Sequence, residues 1–210
     1  MKLFQFFQSY EFLADKADKA FQKIEKEYGA YIACKPHCSD CCHAVFGLFL
    51  IEASYIQHHF SQLDIKEKDM ALTRCDQADR DLKRMAIRLS KHENDPQMTA
   101  LALARERIRC PLLDDNDECI LYSSRPITCR IYGIPTAIHG KARVCGMAGF
   151  KKGEQYPVFD LDSVYRDLFA LSKELLEQAG EKDIERASLL ISVSKALRTP
   201  IQKLTGESPY

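Results

Sequence analysis

Nine cysteines in 210 residues are the chemical outlier of this chain. Eight of them fall into two groups. The first reads Cys34-Lys-Pro-His-Cys38-Ser-Asp-Cys41-Cys42. Its Cys38-x-x-Cys41 step is the spacing by which a tight turn aims two thiolates at one metal. Cys34 adds a third donor from the turn before. Adjacent side chains diverge, so Cys41 and Cys42 serve different metals or different irons of one cluster, or one of them is structural. The second group is Cys110, Cys119, Cys129 and Cys145. Cys110 precedes Pro111, a Cys-Pro step also found in bacterial ferredoxins. Soft thiolate suits zinc and iron–sulfur clusters. The eight thiols suffice for two four-thiolate sites, or for one site with the remainder buried. Four thiolates on a divalent ion leave a charge of about −2. Lys35, Arg109, Arg130 and Arg143, each close in sequence to a loop cysteine, are placed to offset it.

Other residue types carry weaker signals. His37 and His43 flank the first group and are possible ligands, since imidazole suits zinc and iron. His58 and His59 read as a solvated helix face, and His139 beside Gly140 as a turn. Asp114-Asp115-Asn116-Asp117 lacks the glycine and the distal glutamate of an EF-hand loop and reads as a solvated turn. Arg125 and Arg130 are candidates to anchor an anionic group or to neutralise thiolates. Tyr122 and Tyr132 read as packing groups. Cys75 lies on an apolar helical stripe and reads as core. No phosphate-binding glycine loop, nucleophile elbow or helical metalloprotease motif is found.

Composition narrows the setting. Basic and acidic residues number 30 each, for a formal net charge of zero. That balance gives no footprint for nucleic acid or an anionic membrane. The start, MKLFQFFQSYEFLADKADKA, lacks the apolar run of a secretory signal. No window approaches the ~20 apolar residues that span a bilayer. The expected location is the cytoplasm, where thiols stay reduced. A disulfide framework is disfavoured on the same ground and by the odd cysteine count.

Helices must position the two loops. Leu3, Phe6, Phe7, Tyr10, Leu13, Ala17, Ile24 and Tyr28 mark one stripe on a long helix that stops at Gly29. Helices are also expected over 51–60, 66–92 and 97–107, with Asn94-Asp95-Pro96 as a break. Residues 110–121 suggest a small hairpin around the acidic turn. Ser124-Arg125-Pro126 looks like the start of a short helix. Two final helices are expected, one carrying Leu161 to Leu175 and one carrying Ile184 to Leu197, with a loose tail GESPY. The expected fold class is mainly α: one domain over 1–210, with a metal-binding core at 30–150 flanked by helices 2–29 and 158–198.

The stretch 34–42 together with RCPLLDDNDECILYSSRPITCRIYG resembles the YkgJ-type, or CxxCxxCC, family of small bacterial proteins. The family pattern is C-x-x-C-x-x-C-C, a cysteine, C-x-I/L-Y-x-x-R-P-x-x-C-R, and a last cysteine. Cys110, Cys119, Tyr122, Arg125, Pro126, Cys129 and Arg130 fit its second half, with Cys145 as the last. The first half departs by one residue between Cys34 and Cys38. The resemblance covers about 34–145. It implies a domain that chelates zinc or iron, and some larger members look like flagellin lysine methylases with an iron–sulfur cluster.

The reading that follows is a metal-binding protein holding an iron–sulfur cluster, expected as 4Fe-4S, through Cys34, Cys38, Cys41, Cys42, Cys110, Cys119, Cys129 and Cys145. Arg125 and Arg130 stand beside the cofactor. Redox or protein-modifying chemistry on a protein partner or substrate would be its use. The alternative is a zinc-stabilised binding module without catalysis. An enzyme would need an open metal position or an adjoining pocket lined by Arg125, Arg130 and Tyr132.

Overall fold

The computed structural model describes residues 3–206. Its elements are α1 (Leu3–Tyr28), α2 (Leu50–Ser61), α3 (Ile65–Leu89), α4 (Pro96–Arg105), α5 (Ile127–Arg130), α6 (Leu161–Gln178), α7 (Val193–Arg198) and α8 (Ile201–Thr205). A small sheet adds β1 (Thr136–Ile138), β2 (Lys141–Arg143) and β3 (Phe159–Asp160). The mainly α class expected from the apolar stripes is what forms. The tail at 207–210 lies outside the described residues.

Local chemistry sets the helix ends. Asp64 accepts from the Glu67 amide at the start of α3, and Asp160 from the Ser163 amide at the start of α6. Asp95 accepts from the Gln97 and Met98 amides, with Pro96 in the first turn of α4. These are the short acceptors that orphan helix N–H groups require. The stripe of α1 buries Phe6, Phe7, Tyr10, Leu13, Ala17 and Ile24. It packs on α2, α5 and α6, and α2 lies between α6 and the α7–α8 pair. Tyr10, Ile51, Ile56, Leu168 and Leu175 are fully buried at this centre. By contrast α4 buries no residue and leans on α3.

Three expectations change. The hairpin lies at β1–β2, not at 110–121. Its two-residue loop, His139-Gly140, has both residues at positive φ, the geometry that matches strand twist. At 110–121 the acidic turn does form, with Asp114 and Glu118, and Ile120 and Leu112, joined by main-chain bonds, but its pairing amounts to a single Leu113–Cys119 bridge and no strands extend from it. Second, 184–197 is not one helix. A 3-10 segment covers Ile184–Ser188, Ile191 then pairs with Leu48 in an isolated bridge, and Ser192 caps α7 through the Lys195 amide. The bridge takes Ile191 and Leu48 backbone groups that a continuous helix would have used internally. Third, His58 and His59 are half-buried rather than solvated. His58 packs on Phe7 with centroids 5.1 Å apart, and His59 on Tyr55 at 4.4 Å.

Candidate metal centre

Main-chain hydrogen bonds join the two cysteine segments. The Cys110 amide donates to the Cys42 carbonyl at 2.7 Å, and the Ile108 amide to the His43 carbonyl at 3.0 Å. Ala44 and Arg107 form an antiparallel bridge. Arg107 also donates to the Asp40 carboxylate at 2.5 Å. His37 adds a contact to the Asn116 carbonyl at 3.3 Å. A chain separation of about seventy residues is therefore closed by backbone pairing, which fixes the thiols far better than side-chain contact alone.

Several elements place the thiols. Cys41 and Cys42 sit in the 3-10 turn Asp40–His43. Cys119 follows the acidic turn, where the Asp114 carboxylate accepts from the Asn116 and Glu118 amides at 2.9 and 2.8 Å. Arg109 closes the same turn from outside by donating to the Asp114 carbonyl at 2.6 Å. Cys129 rides on α5. Cys34 lies against Gly133 so closely that a β-carbon there would collide with its sulfur. Glycine is needed at 133 for that approach.

The sulfurs form two neighbourhoods. In one, the neighbouring Cys129 and Cys42 thiols lower the pKa of Cys41. Cys129 is raised well above the ordinary thiol range by its bond to Cys41 and by burial, and Cys42 is raised by its bond to Cys41 and by burial. Cys110, pushed up to about 12 by burial, feels Cys119 and Cys41. Cys119 is raised by burial and feels Cys41 as well. In the other neighbourhood, which Cys41 also reaches, burial and then Cys38, Cys145 and Cys41 push Cys34 up to about 12. Cys145 donates to Asp40 Oδ2 at 3.2 Å and is raised chiefly by burial.

All the loop cysteines except Cys145 face one cavity of about 950 Å³. Among the described residues, no three His, Cys, Asp or Glu side chains stand in the arrangement that grips a single ion. Seven thiols from the two loops line this one space. Their chemistry suits a soft metal, and burial keeps most of them protonated until a cation compensates the charge.

The two arginines differ. Arg130 is 8% exposed and spends its donors on Asp18 at 2.5 Å and on the Ser123 and Arg125 carbonyls. Arg125 stacks on the Tyr122 ring at 3.9 Å. Its positive charge lowers the pKa of Cys41 and of Cys119. Both arginines line the cavity. Tyr132 does not; it sits against Arg107. His43 bonds the Ser39 carbonyl at 3.0 Å. Cys75 is fully buried on α3, as its stripe position predicts.

Asp18, Asp40 and Gly133 had no local signature in the sequence. Their roles depend on partners 112, 105 and 99 positions away, of which the first two are bonded pairs.

Comparison with curated proteins and with solved structures finds no match. The sequence does match a family over residues 33–146, which contains all eight loop cysteines and more than half of the chain. That family is described as a "putative zinc- or iron-chelating domain". By that match the chain belongs to the CxxCxxCC family.

Proposed function

We propose that this protein holds an iron–sulfur cluster, a 4Fe-4S centre, in the ring of thiols and uses it in redox or protein-modifying chemistry. The observation that carries this reading is the number of thiols, from both loops, that line one cavity. A single tetrahedral zinc with Zn–S bonds of ~2.3 Å needs four sulfurs about 3.8 Å apart. A polynuclear cluster carries its thiolates on separate metals at wider spacing. Seven thiols lining one cavity exceed the four that a single tetrahedral zinc takes, which favours a larger centre. When bound, such a cluster supplies one-electron transfer.

The chain's own residues do the rest. Cys41, Cys42, Cys110, Cys119 and Cys129 are the mutually coupled set from which the ligands are drawn. Cys34 and Cys38 close the opposite wall, and Cys145 joins them through Asp40. Arg125 tempers the negative charge of the thiolates, while Arg130 fixes α5 and with it Cys129. Zinc in a binding module remains the second reading, favoured by the family description naming either metal. Metal, iron and acid-labile sulfide analysis on protein purified without oxygen separates the two. Stoichiometric zinc without sulfide removes the cluster.

A further inference from the structure

Glu52 is an acid on the buried, largely apolar face of α2, beside Leu50, Ile51, Ala53 and Ile56, and is itself 3% exposed. A buried carboxylate is costly unless its oxygens are bonded. Here both are. Oε2 accepts from the Phe49 amide at 3.2 Å, the capping bond at the start of α2. Capping uses one oxygen. Oε1 reaches elsewhere and accepts from the Ile127 amide at 3.1 Å, 75 positions along the chain. Ile127 opens α5, the four-residue helix that contains Cys129.

A helix of one turn has no cooperative stability of its own, so outside groups must place it. The Cys129 and Arg130 amides turn back to the Pro126 carbonyl at 3.0 and 3.2 Å. The Arg130 side chain is bonded to Asp18 of α1, and Thr128 lies beside Tyr165 of α6. Three neighbours of Cys129 thus meet three different helices, and the Cys129 thiol faces the cavity.

We propose that Glu52 is a positioning residue for the metal centre: its carboxylate ties the start of α2 to the start of α5 and thereby holds the Cys129 sulfur on the cavity wall. The proposal rests on the reading of Cys129 as a metal ligand. The tie needs two accepting oxygens. A carboxamide has one, because its NH2 group meets an amide N–H donor to donor, and a protonated carboxyl has the same defect. Burial raises Glu52 to about 7, so the protonated form is reached as pH falls below neutrality. Tyr10 of α1, Arg130 of α5 and Tyr165 of α6 are the titratable or charged groups that face it. Burial raises both tyrosines, and arginine keeps its charge throughout.

The test is the rate at which EDTA strips metal from protein purified without oxygen. At about pH 8.5, Glu52→Gln should release metal about 3- to 10-fold faster than the parent, the equivalent of one net hydrogen bond. The ratio should fall towards one by about pH 5.5, where the parent's own carboxyl is protonated. Glu52→Met, similar in length and suited to an apolar site, should release at least as fast and decides the matter if Glu52→Gln fails to fold. Leu175→Ala, a core truncation on α6 away from the cavity wall, should lower stability and leave release unchanged. Unchanged release in the folded Glu52 variant, a ratio that does not move with pH, or equal acceleration by Leu175→Ala overturns the proposal. Cys129→Ser, read for metal content, tests the underlying reading separately. Retained metal there removes the ligand reading and this proposal with it, whereas lost metal beside an unaffected Glu52 variant removes only the positioning role.

Discussion

At the residue scale the account turns on which thiols share charge. The Cys129 and Cys42 thiols beside Cys41 draw its pKa down, whereas theirs are raised. Cys41→Ser and Cys129→Ser should each lose most of the bound metal. Cys145→Ser should keep most of it, because that thiol is committed to Asp40. Metal per protein after anaerobic purification checks all three. A second residue-scale prediction concerns Glu52, which is buried and accepts from the Phe49 and Ile127 amides at 3.2 and 3.1 Å. Burial raises its pKa from 4.5 to about 7. Below pH 4.5 it is protonated folded or unfolded. As pH rises from there to 7 the unfolded chain loses the proton first, so stability declines across that window and has fully declined above it. The decline is on the order of 3 kcal/mol. Glu52→Gln should flatten it in denaturant melts run between pH 4.5 and 7.5. The density of cysteines in two stretches made it legible that the loops come together, and seven of the thiols do share a cavity, with Cys145 off its wall. Glu52 was not legible, because an acid inside an apolar helix face is recognisable only once Ile127, on a distant segment, is seen to bond it.

At the element scale the site depends on clamps between helices and loops. Asp18 on α1 meets the nearly buried Arg130 on α5. Asp18→Ala leaves that guanidinium without its counter-charge. The cost should be about 1–3 kcal/mol, below that of a wholly buried pair because Asp18 is about a third exposed. Thermal melts read that cost, and the same variant should loosen metal by moving Cys129. Gly133→Ala should displace Cys34 and cost about 1–3 kcal/mol through overpacking. The long helices were legible because their stripes are set by burial on one face. The break within 184–197 was not. Its apolar spacing fits a helix, but pairing of Ile191 with Leu48 outweighs local periodicity. The hairpin was displaced for a related reason: His139-Gly140 supplies the positive φ values a two-residue loop needs, while the acidic turn satisfies itself through Asp114.

At the scale of the whole molecule, a helical frame spans the loops and the loops enclose the chemistry. Among the described residues no helix is long and apolar enough to cross a membrane. Most of the apolar centre comes from the long helices, joined by Leu112, Leu121, Ile127, Ile131 and Ile134, whereas the 30–47 and 110–150 segments hold only short pieces of regular structure. Chelation of the metal should therefore speed amide exchange in those two segments by an order of magnitude or more, while α1 and α6 stay protected. The central claim is that thiols from both loops hold a polynuclear iron centre. Iron and acid-labile sulfide assayed with the visible spectrum of protein isolated without oxygen test it most directly. The account predicts brown protein with iron and sulfide in equal amounts, about four of each per chain for one 4Fe-4S centre. Colourless protein carrying stoichiometric zinc would contradict it.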